Sequence, residues 1–553
     1  MKKIFGVLII TAFAAIMTLY EASACTGIYV GKKASKDGTI IIARSNDHMS
    51  DWSNYIQLKD GNNNGSGRSM PVSADGLVVT DIPDRTYRYV CTPWMDSTTA
   101  SNGLTHDAAI CMNECGVVMT MAVSADPNKD MEKADPFTKG GVCEQSVTDY
   151  LICQCATARD AVKMLLDTVD TYGCAEGAIA MIADRKEAWL VEMYTGYQYA
   201  AVKLPDDKVA AFGNEFTIEY LDDYEEYISS EGLESVPERN GLSRYGGNGA
   251  FNIRETYLGT ANYTDYSHMR TWIGHKVLAP SKYGDYERTA QYPLVFEPDD
   301  KVSLQDVMGL LRNRYEGTKY SPDETGRRDV RVMGTDTAMS VHIGQVYPDL
   351  PPDMSSVIWE CTGPCVCGVF VPVSNACTEI SRDYSRNQGA DREGIFDPEH
   401  YPWYAIKELN TLGLIDYRTY GEPVREYWNE AESQMAEGLK AVLGKASGMP
   451  RGKAEKLITE YCCNVQDNAF SDEKHILNDL RWYVNANANT LKKVFDPDSG
   501  LILDKDVETP PFKVTIKYHD PLGTGLGGHF PFVEKRQQKC YYNVNIKRTS
   551  YYE

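Results

Sequence analysis

The residue best placed to do chemistry is Cys25, because of what precedes it. Lys2 and Lys3 form a positive start, an apolar stretch runs from Phe5 to Tyr20, and Ala22-Ser23-Ala24 ends at the cysteine. Small residues in that pattern mark a signal-peptidase site, so residues 1–24 read as a removable export signal. Cleavage would make Cys25 the N-terminal residue, with a free amine of pKa near 8 beside a thiol near 8.5. One residue then supplies both a nucleophile and a base suited to neutral pH. The chain has nine histidines, none in a recognisable cysteine-protease signature, which suits a nucleophile that needs no imidazole. The rival use of such a cysteine is lipidation, which would anchor the protein and remove the nucleophile. A lipid-attachment site wants a large aliphatic residue three positions earlier, where Ala22 stands. Small residues suit both peptidases, and these residues alone leave both readings open.

The other cysteines do not form a comparable site. There are 15 in all, so 14 remain beside Cys25, an even number that export would allow to pair, in a connectivity that spacing does not give. Cys153-x-Cys155 and Cys361-x3-Cys365-x-Cys367 lack the paired knuckles of a zinc site, and Cys365 and Cys367 lie in the apolar run CVCGVFVPV. We therefore expect no metal and no organic cofactor. A formal net charge of −22 would repel phosphates and argues against nucleic-acid partners. The apolar run at the start is short for a bilayer span, which needs about 20 residues, and no later segment is a better candidate. The expected location is outside the cytoplasm, periplasmic or extracellular. Oligomeric state is not legible.

The elements that must position Cys25 begin at once. Residues 26–30 and 39–43 read as strands joined through Asp37-Gly38, a hairpin with Cys25 at its start. Strand patterns recur at 116–124, 178–183, 188–194 and near 208–213, with Asp184-Arg185-Lys186 as a hairpin turn. Helices are expected at about 147–155, with Ser146 as a cap, from Thr157-x-x-Asp160 to about Val169, and over 303–315. Strands and helices in this order, mostly joined by hairpins, imply an α+β architecture of antiparallel sheets with helices outside. After about residue 420 three helical stretches follow, 422–444, 452–464 and 472–494. A linker-like run spans 496–511, and a tail with strand-like FKVTIKY and CYYNVNI surrounds the loop GTGLGG. That loop lacks the Lys-Ser/Thr ending of a phosphate cradle.

The segment CTGIYVGKKASKDGTIIIARSND resembles the start of dipeptidase A-type cysteine peptidases, members of the N-terminal-nucleophile (Ntn) hydrolase superfamily related to penicillin V acylases, bile salt hydrolases and secernins. NECGVVMTMAVS, FGNEF, SHMRTW, RRDVRVMGTDTAMSVHIGQV and SSVIWECTGPCVCGVFVPV continue the resemblance in order over about 25–410. It implies a four-layer αββα sandwich over 25–420, followed by a helical extension, 421–495, and a linker with a small β-rich tail, 496–553. It also implies roles. Cys25 would be the nucleophile and its amine the base. Arg44 would sit beside the thiol and lower its pKa, Asp47 would accept a hydrogen bond from the Cys25 amine, and Asn214 would donate to the oxyanion. Arg270 would be the late active-site arginine, and Ser124 would help shape the oxyanion hole. Taken singly, Arg44 and Asp47 are an ordinary surface pair, Gly213-Asn214 is a turn, and Arg270 is a cation to stack on a nearby aromatic such as Trp272. Arg44 lies nineteen residues after Cys25, further than in bile salt hydrolases, which points to the dipeptidase branch.

The expected activity is hydrolysis of dipeptides or short peptides. The alternatives are an Ntn acylase acting on N-acyl amino acids or conjugated bile acids, and a lipid-anchored surface protein without enzymatic activity.

Overall fold

The computed structural model describes residues 24–47, 53–61, 69–71, 79–93, 108–123, 125–144, 147–327, 329–386, 396–488, 493–496, 501–504 and 510–518. Most of the expected signal segment, Ser124, Ser146, the CYYNVNI stretch and the Gly-rich loop lie outside these residues.

Two antiparallel sheets form the centre. The first contains β1 (Ala24–Val30), β2 (Ile40–Asp47), β12 (Val209–Phe212), β14 (Ala338–Val346), β15 (Ser356–Cys361) and β16 (Val371–Ser374), in the order β12-β1-β2-β14-β15-β16. The second contains β3 (Gln57–Lys59), β6 (Tyr89–Pro93), β7 (Ala108–Asn113), β8 (Val118–Val123), β9 (Ala178–Ala183), β10 (Ala188–Met193), β11 (Tyr199–Lys203) and β13 (Tyr227–Ser229). Its order is β13-β11-β10-β9-β8-β7-β6-β3. Two small hairpins, β4 (Ser69–Pro71) with β5 (Val79–Asp81) and β17 (Lys493–Asp496) with β18 (Leu501–Asp504), stand apart. The expected turn after β1 holds Gly38 at φ +73, in the left-handed region that Asp-Gly turns favour.

The two sheets pack face to face, with β8 against β1, β2 and β14. Strands β2, β7, β9, β10, β14 and β15 are buried at every residue. Such strands have no solvent face, because the other sheet covers one side and helices cover the other. Helices α1 (Thr148–Ile152) and α2 (Ala158–Tyr172) lie on the eight-stranded sheet. On the six-stranded sheet, α3 (Asp265–Leu278) packs on β12 and α4 (Leu304–Leu311) on β2. Beyond α5 (Pro402–Gly413), helices α6 (Glu422–Ala446) and α7 (Arg451–Ala488) pack on β16. The result is the α+β, four-layer αββα sandwich.

Local chemistry accounts for the boundaries. Thr157 Oγ1 accepts the Asp160 N–H at 3.1 Å and opens α2. Ser303 and Asp306 form a reciprocal capping box at the start of α4. In the β9–β10 turn, Asp184 accepts from Lys186 N (2.7 Å) and Glu187 N (3.2 Å), while its other oxygen takes the Ala158 N–H (2.8 Å). One carboxylate thus ties the turn to the first residue of α2.

Three features of the C-terminal part differ from expectation. The stretches 452–464 and 472–494 are one helix, α7, because residues 465–471 contain no Gly or Pro to end it and Val465, Ala469 and Phe470 continue the buried face. The β17–β18 hairpin takes up the end of the expected 472–494 helix and the start of the linker-like run. Residues 512–518, expected as a strand, run without a ladder, although Phe512 and Tyr518 are buried and the Phe512 N–H donates to Thr419 O at 2.8 Å. Helices α6 and α7 share one hydrophobic cluster with the central sheets. Arg312, at the end of α4, makes a two-pronged ion pair with Glu432 of α6 (2.6 and 2.7 Å), both side chains fully buried. Among the described residues no helix is long and apolar enough to cross a membrane.

Candidate active site

The β1–β2 register pairs Cys25 with Asn46 and Gly27 with Arg44, which puts these side chains on one face of the sheet. The other neighbour of β1, strand β12, ends with Phe212 opposite Gly27, so the next residues, Gly213 and Asn214, run on beside Cys25. Gly213 has a steric reason to be glycine, since a Cβ there would stand 2.4 Å from Ser267 O in the first turn of α3. Its N–H donates to Thr271 Oγ1 at 3.0 Å, and Glu215 on the far side is held by Thr271 and by His268 Nδ1 (3.0 Å). Asn214 therefore sits between two anchored residues rather than in a free turn.

Three side chains converge on the three polar atoms of Cys25. Its N–H donates to Asn214 Oδ1 at 3.0 Å. Its carbonyl oxygen accepts from Arg270 Nη1, while Arg270 Nη2 donates to the same Asn214 oxygen. Its Sγ accepts from Arg44 Nη2 at 3.1 Å. Both groups facing Asn214 Oδ1 are N–H donors, which fixes the orientation of the amide. An oxyanion-donating role for Asn214 would fall to Nδ2. The aromatic partner of Arg270 is Tyr266, 5.5 Å from the guanidinium, with Arg331 over the same ring at 5.5 Å.

Two expectations meet a fuller arrangement in the chain that retains Ala24. Asp47 does not receive the Cys25 N–H. That bond is directed towards the β12 edge of β1, where Asn214 lies, whereas Asp47 is carried along the β2 edge opposite Ala24. The Asp47 carboxylate instead meets Arg331 at 3.0 Å and the Ser45 hydroxyl at 3.2 Å. Burial pushes its pKa above the usual carboxylate range, against the pull of Arg331 and Arg270. The second concerns the thiol. Arg44 sits on the sulfur and lowers its pKa as expected, but burial, the larger effect, raises it, and the Glu144 and Asp47 carboxylates add to burial. Arg44 is not a dedicated partner of the sulfur. It forms a fully buried ion pair with Glu144 and also donates to Asn46 Oδ1 at 3.1 Å. With Ala24 attached, the Cys25 nitrogen is a peptide N–H and the thiol holds its proton.

Sequence reasoning missed Glu144, Arg331 and His342. Glu144 precedes α1 and carries no local signature; its N–H donates to Glu176 Oε1 at 2.8 Å. Arg331 stands in the RRDVRV segment without a distinguishing neighbour. His342 lies opposite Arg44 on β14, with Nε2 2.7 Å from Thr120 Oγ1; burial and Arg44 hold it far below its ordinary pKa, hence neutral. Its other cross-strand partner, Glu360, is pushed far up by burial. Of the expected residues, Cys25, Arg44, Asn214 and Arg270 meet in direct contact, Asp47 stands beyond them on Arg331, and Ser124 lies outside the described residues. The fourteen described cysteines are free thiols, and burial pushes those of Cys153, Cys155, Cys365 and Cys367 up to about 12 each. Among the described residues no three His, Cys, Asp or Glu side chains cluster as metal ligands would.

The αββα sandwich is the fold class of the Ntn hydrolases, and here Cys25 enters its first strand under the grip of two arginines and an asparagine. Residues 24–430 match the family model for peptidase family C69, and the chain belongs to that family. A probable dipeptidase B from Streptococcus pyogenes serotype M1 is 30% identical over 441 residues, covering 76% of this chain and 85% of that one. A probable dipeptidase from Latilactobacillus sakei is 30% identical over 352 residues, covering 61% of this chain and 71% of its own length. The solved penicillin V acylase from Agrobacterium tumefaciens aligns over 66% of this chain and 89% of that one, at 14% identity and a TM-score of 0.31.

Proposed function

We propose that the protein is an exported cysteine dipeptidase whose nucleophile is the Cys25 thiol, exposed by removal of residues 1–24. The observation that carries this reading is the convergence of Asn214, Arg270 and Arg44 on the nitrogen, carbonyl oxygen and sulfur of one residue. A buried backbone N–H and C=O need partners in any case; the guanidinium on the sulfur is the contact that packing does not call for and a nucleophilic thiol does. After cleavage the α-amine occupies the place of the present N–H, held by Asn214. It takes the thiol proton, and the sulfur attacks the scissile carbonyl. The resulting oxyanion is held by N–H donors, with Asn214 Nδ2 as one of them. The intermediate collapses, the ammonium returns its proton to the departing amino group, and a thioester remains. Water, deprotonated by the same amine, cleaves the thioester and restores the thiol. No step needs a metal. Substrates are dipeptides or short peptides, in line with the relatives named as probable dipeptidases.

Maturation tests the mechanism. A peptide bond at Cys25 converts the base into a non-basic amide, so signal peptidase would be the activating protease. A protein made with Met before Cys25 should be active once the Met is removed. A variant with an uncleavable residue before Cys25 should melt normally yet be inactive. Full activity with that blocked N-terminus would rule out the amine as base. Intact mass of the exported protein tests lipidation, which would add mass at Cys25. A panel of dipeptides and N-acyl amino acids separates the dipeptidase from an acylase.

A further inference from the structure

Glu144 has no part in the steps above, although its carboxylate stands beside the thiol. Arg44 Nη2 donates both to Cys25 Sγ and to Glu144 Oε1. Two acceptors on one nitrogen lie within two hydrogen-bond lengths of each other, about 6 Å at most. The carboxylate is therefore close to where a scissile carbonyl carbon must sit for attack. In a dipeptide the free α-ammonium nitrogen is only two covalent bonds from that carbon, about 2.5 Å away. Bound for attack by Cys25 with its N-terminus on the Arg44 side of the sulfur, a peptide places a full positive charge next to the Glu144 carboxylate. An N-acyl amino acid or an acylated peptide carries none there.

We propose, building on the dipeptidase reading, that Glu144 binds the free α-ammonium group of the substrate and confines the enzyme to peptides with an unblocked N-terminus. The surroundings suit the role. Glu144 is buried and its backbone N–H is tied to Glu176 Oε1 at 2.8 Å, so its position is set by a second carboxylate. Glu176 is only half-buried, and burial together with Glu144 raises its pKa to about 7. Two acids this close to each other favour an incoming cation. A carboxylate accepts several hydrogen bonds, so Glu144 can keep Arg44 and take an ammonium as well. The same contact orients the substrate, because the ammonium and the scissile carbonyl belong to one residue. Glu144 also stands against the sulfur's charge, a cost that an ammonium between them would relieve.

The test compares alanyl-alanine with propionyl-alanine, which has the same shape without the amine, on the mature wild-type enzyme. The expected kcat/KM ratio favours the dipeptide by about 100-fold or more, since a site built around a buried polar group rejects the analogue that leaves it unpaired. Glu144→Gln should collapse that ratio to below about fivefold, whatever the absolute rate, and Glu144→Asp should restore part of it. Equal wild-type kcat/KM on the two compounds overturns the proposal without any variant. A ratio unchanged in Glu144→Gln also overturns it, and would show that Glu144 acts only through Arg44. Failure of the parent reading looks different: no hydrolysis of any dipeptide, with turnover of N-acyl amino acids instead.

Discussion

At the scale of single residues, Cys25 is where opposing charges meet. The thiol carries a raised pKa because burial and two carboxylates outweigh the Arg44 contact. The sign of each substitution follows from that balance. In a chain that retains Ala24, Arg44→Ala removes the group that favours the thiolate, so alkylation by iodoacetamide at pH 7 should slow and the pH midpoint of the rate should rise. Glu144→Gln removes an opposing charge and should move the midpoint down. Below its midpoint the thiolate fraction changes about tenfold for every pH unit the midpoint moves, so rates of labelling followed by mass spectrometry resolve both effects. Equal midpoints in all three proteins would mean that neither charge governs the sulfur. In the mature enzyme, Cys25→Ala should abolish turnover on the best dipeptide with an unchanged melting temperature, and Cys25→Ser should keep at most a trace. Normal turnover by Cys25→Ala would end the proposed mechanism.

At the scale of elements, β2, β14 and β15 carry a row of polar side chains into the sandwich. Arg44, His342 and Glu360 are direct cross-strand neighbours, on strands buried along their whole length. Neither Glu360 oxygen has a hydrogen-bond partner among the described residues, and burial raises its pKa well above the carboxylate range. A carboxyl that binds its proton more tightly when folded contributes stability in full below the unfolded value of about 4.3 and loses it as pH rises. The wild-type melting temperature should therefore fall between pH 5 and pH 8 by more than that of Glu360→Gln, which has no proton to lose. Parallel pH dependences would show that the carboxyl is already ionised in the folded state.

At the scale of the whole molecule, the C-terminal helices act as the outer layer of the sandwich over β16. The Arg312–Glu432 pair joins α4 to α6 where both side chains are fully buried. Arg312 also donates to Cys365 O and Gly368 O at 2.8 Å each, and Glu432 takes the Phe370 N–H at 2.8 Å. Glu432→Ala leaves the guanidinium buried without its counter-charge, a loss of about 3–5 kcal/mol. Denaturant unfolding of the mature protein measures it. A loss under about 1 kcal/mol would mean that water reaches Arg312 and the layer is loosely held. A chain ended at residue 420 should likewise fail to give a soluble folded enzyme, because the faces of β16 and α5 covered by α6 and α7 would open to water.

What could be read from the amino-acid order was whatever a few consecutive residues encode. The β1–β2 hairpin follows from two stretches rich in β-branched residues and Asp37-Gly38 between them, the start of α4 from Ser303 and Asp306, and the position of Cys25 after Ala22-Ser23-Ala24 from the signal pattern itself. The αββα class and the gathering of Cys25, Arg44, Asn214 and Arg270 were legible through several motifs in a fixed order. The merging of two helical stretches into α7 was not, because no short window shows that a polar stretch with one buried side will continue a helix. Which carboxylates face the sulfur was equally hidden. Glu144 is 100 residues from Arg44, and Asp47 meets Arg331 rather than the Cys25 nitrogen. Such contacts depend on which edge of β1 faces β12 and which faces β2, a matter of strand order and packing. The direction in which the thiol pKa moves depends on that packing too, since burial and distant charges, not the neighbours in sequence, set the electrostatic balance.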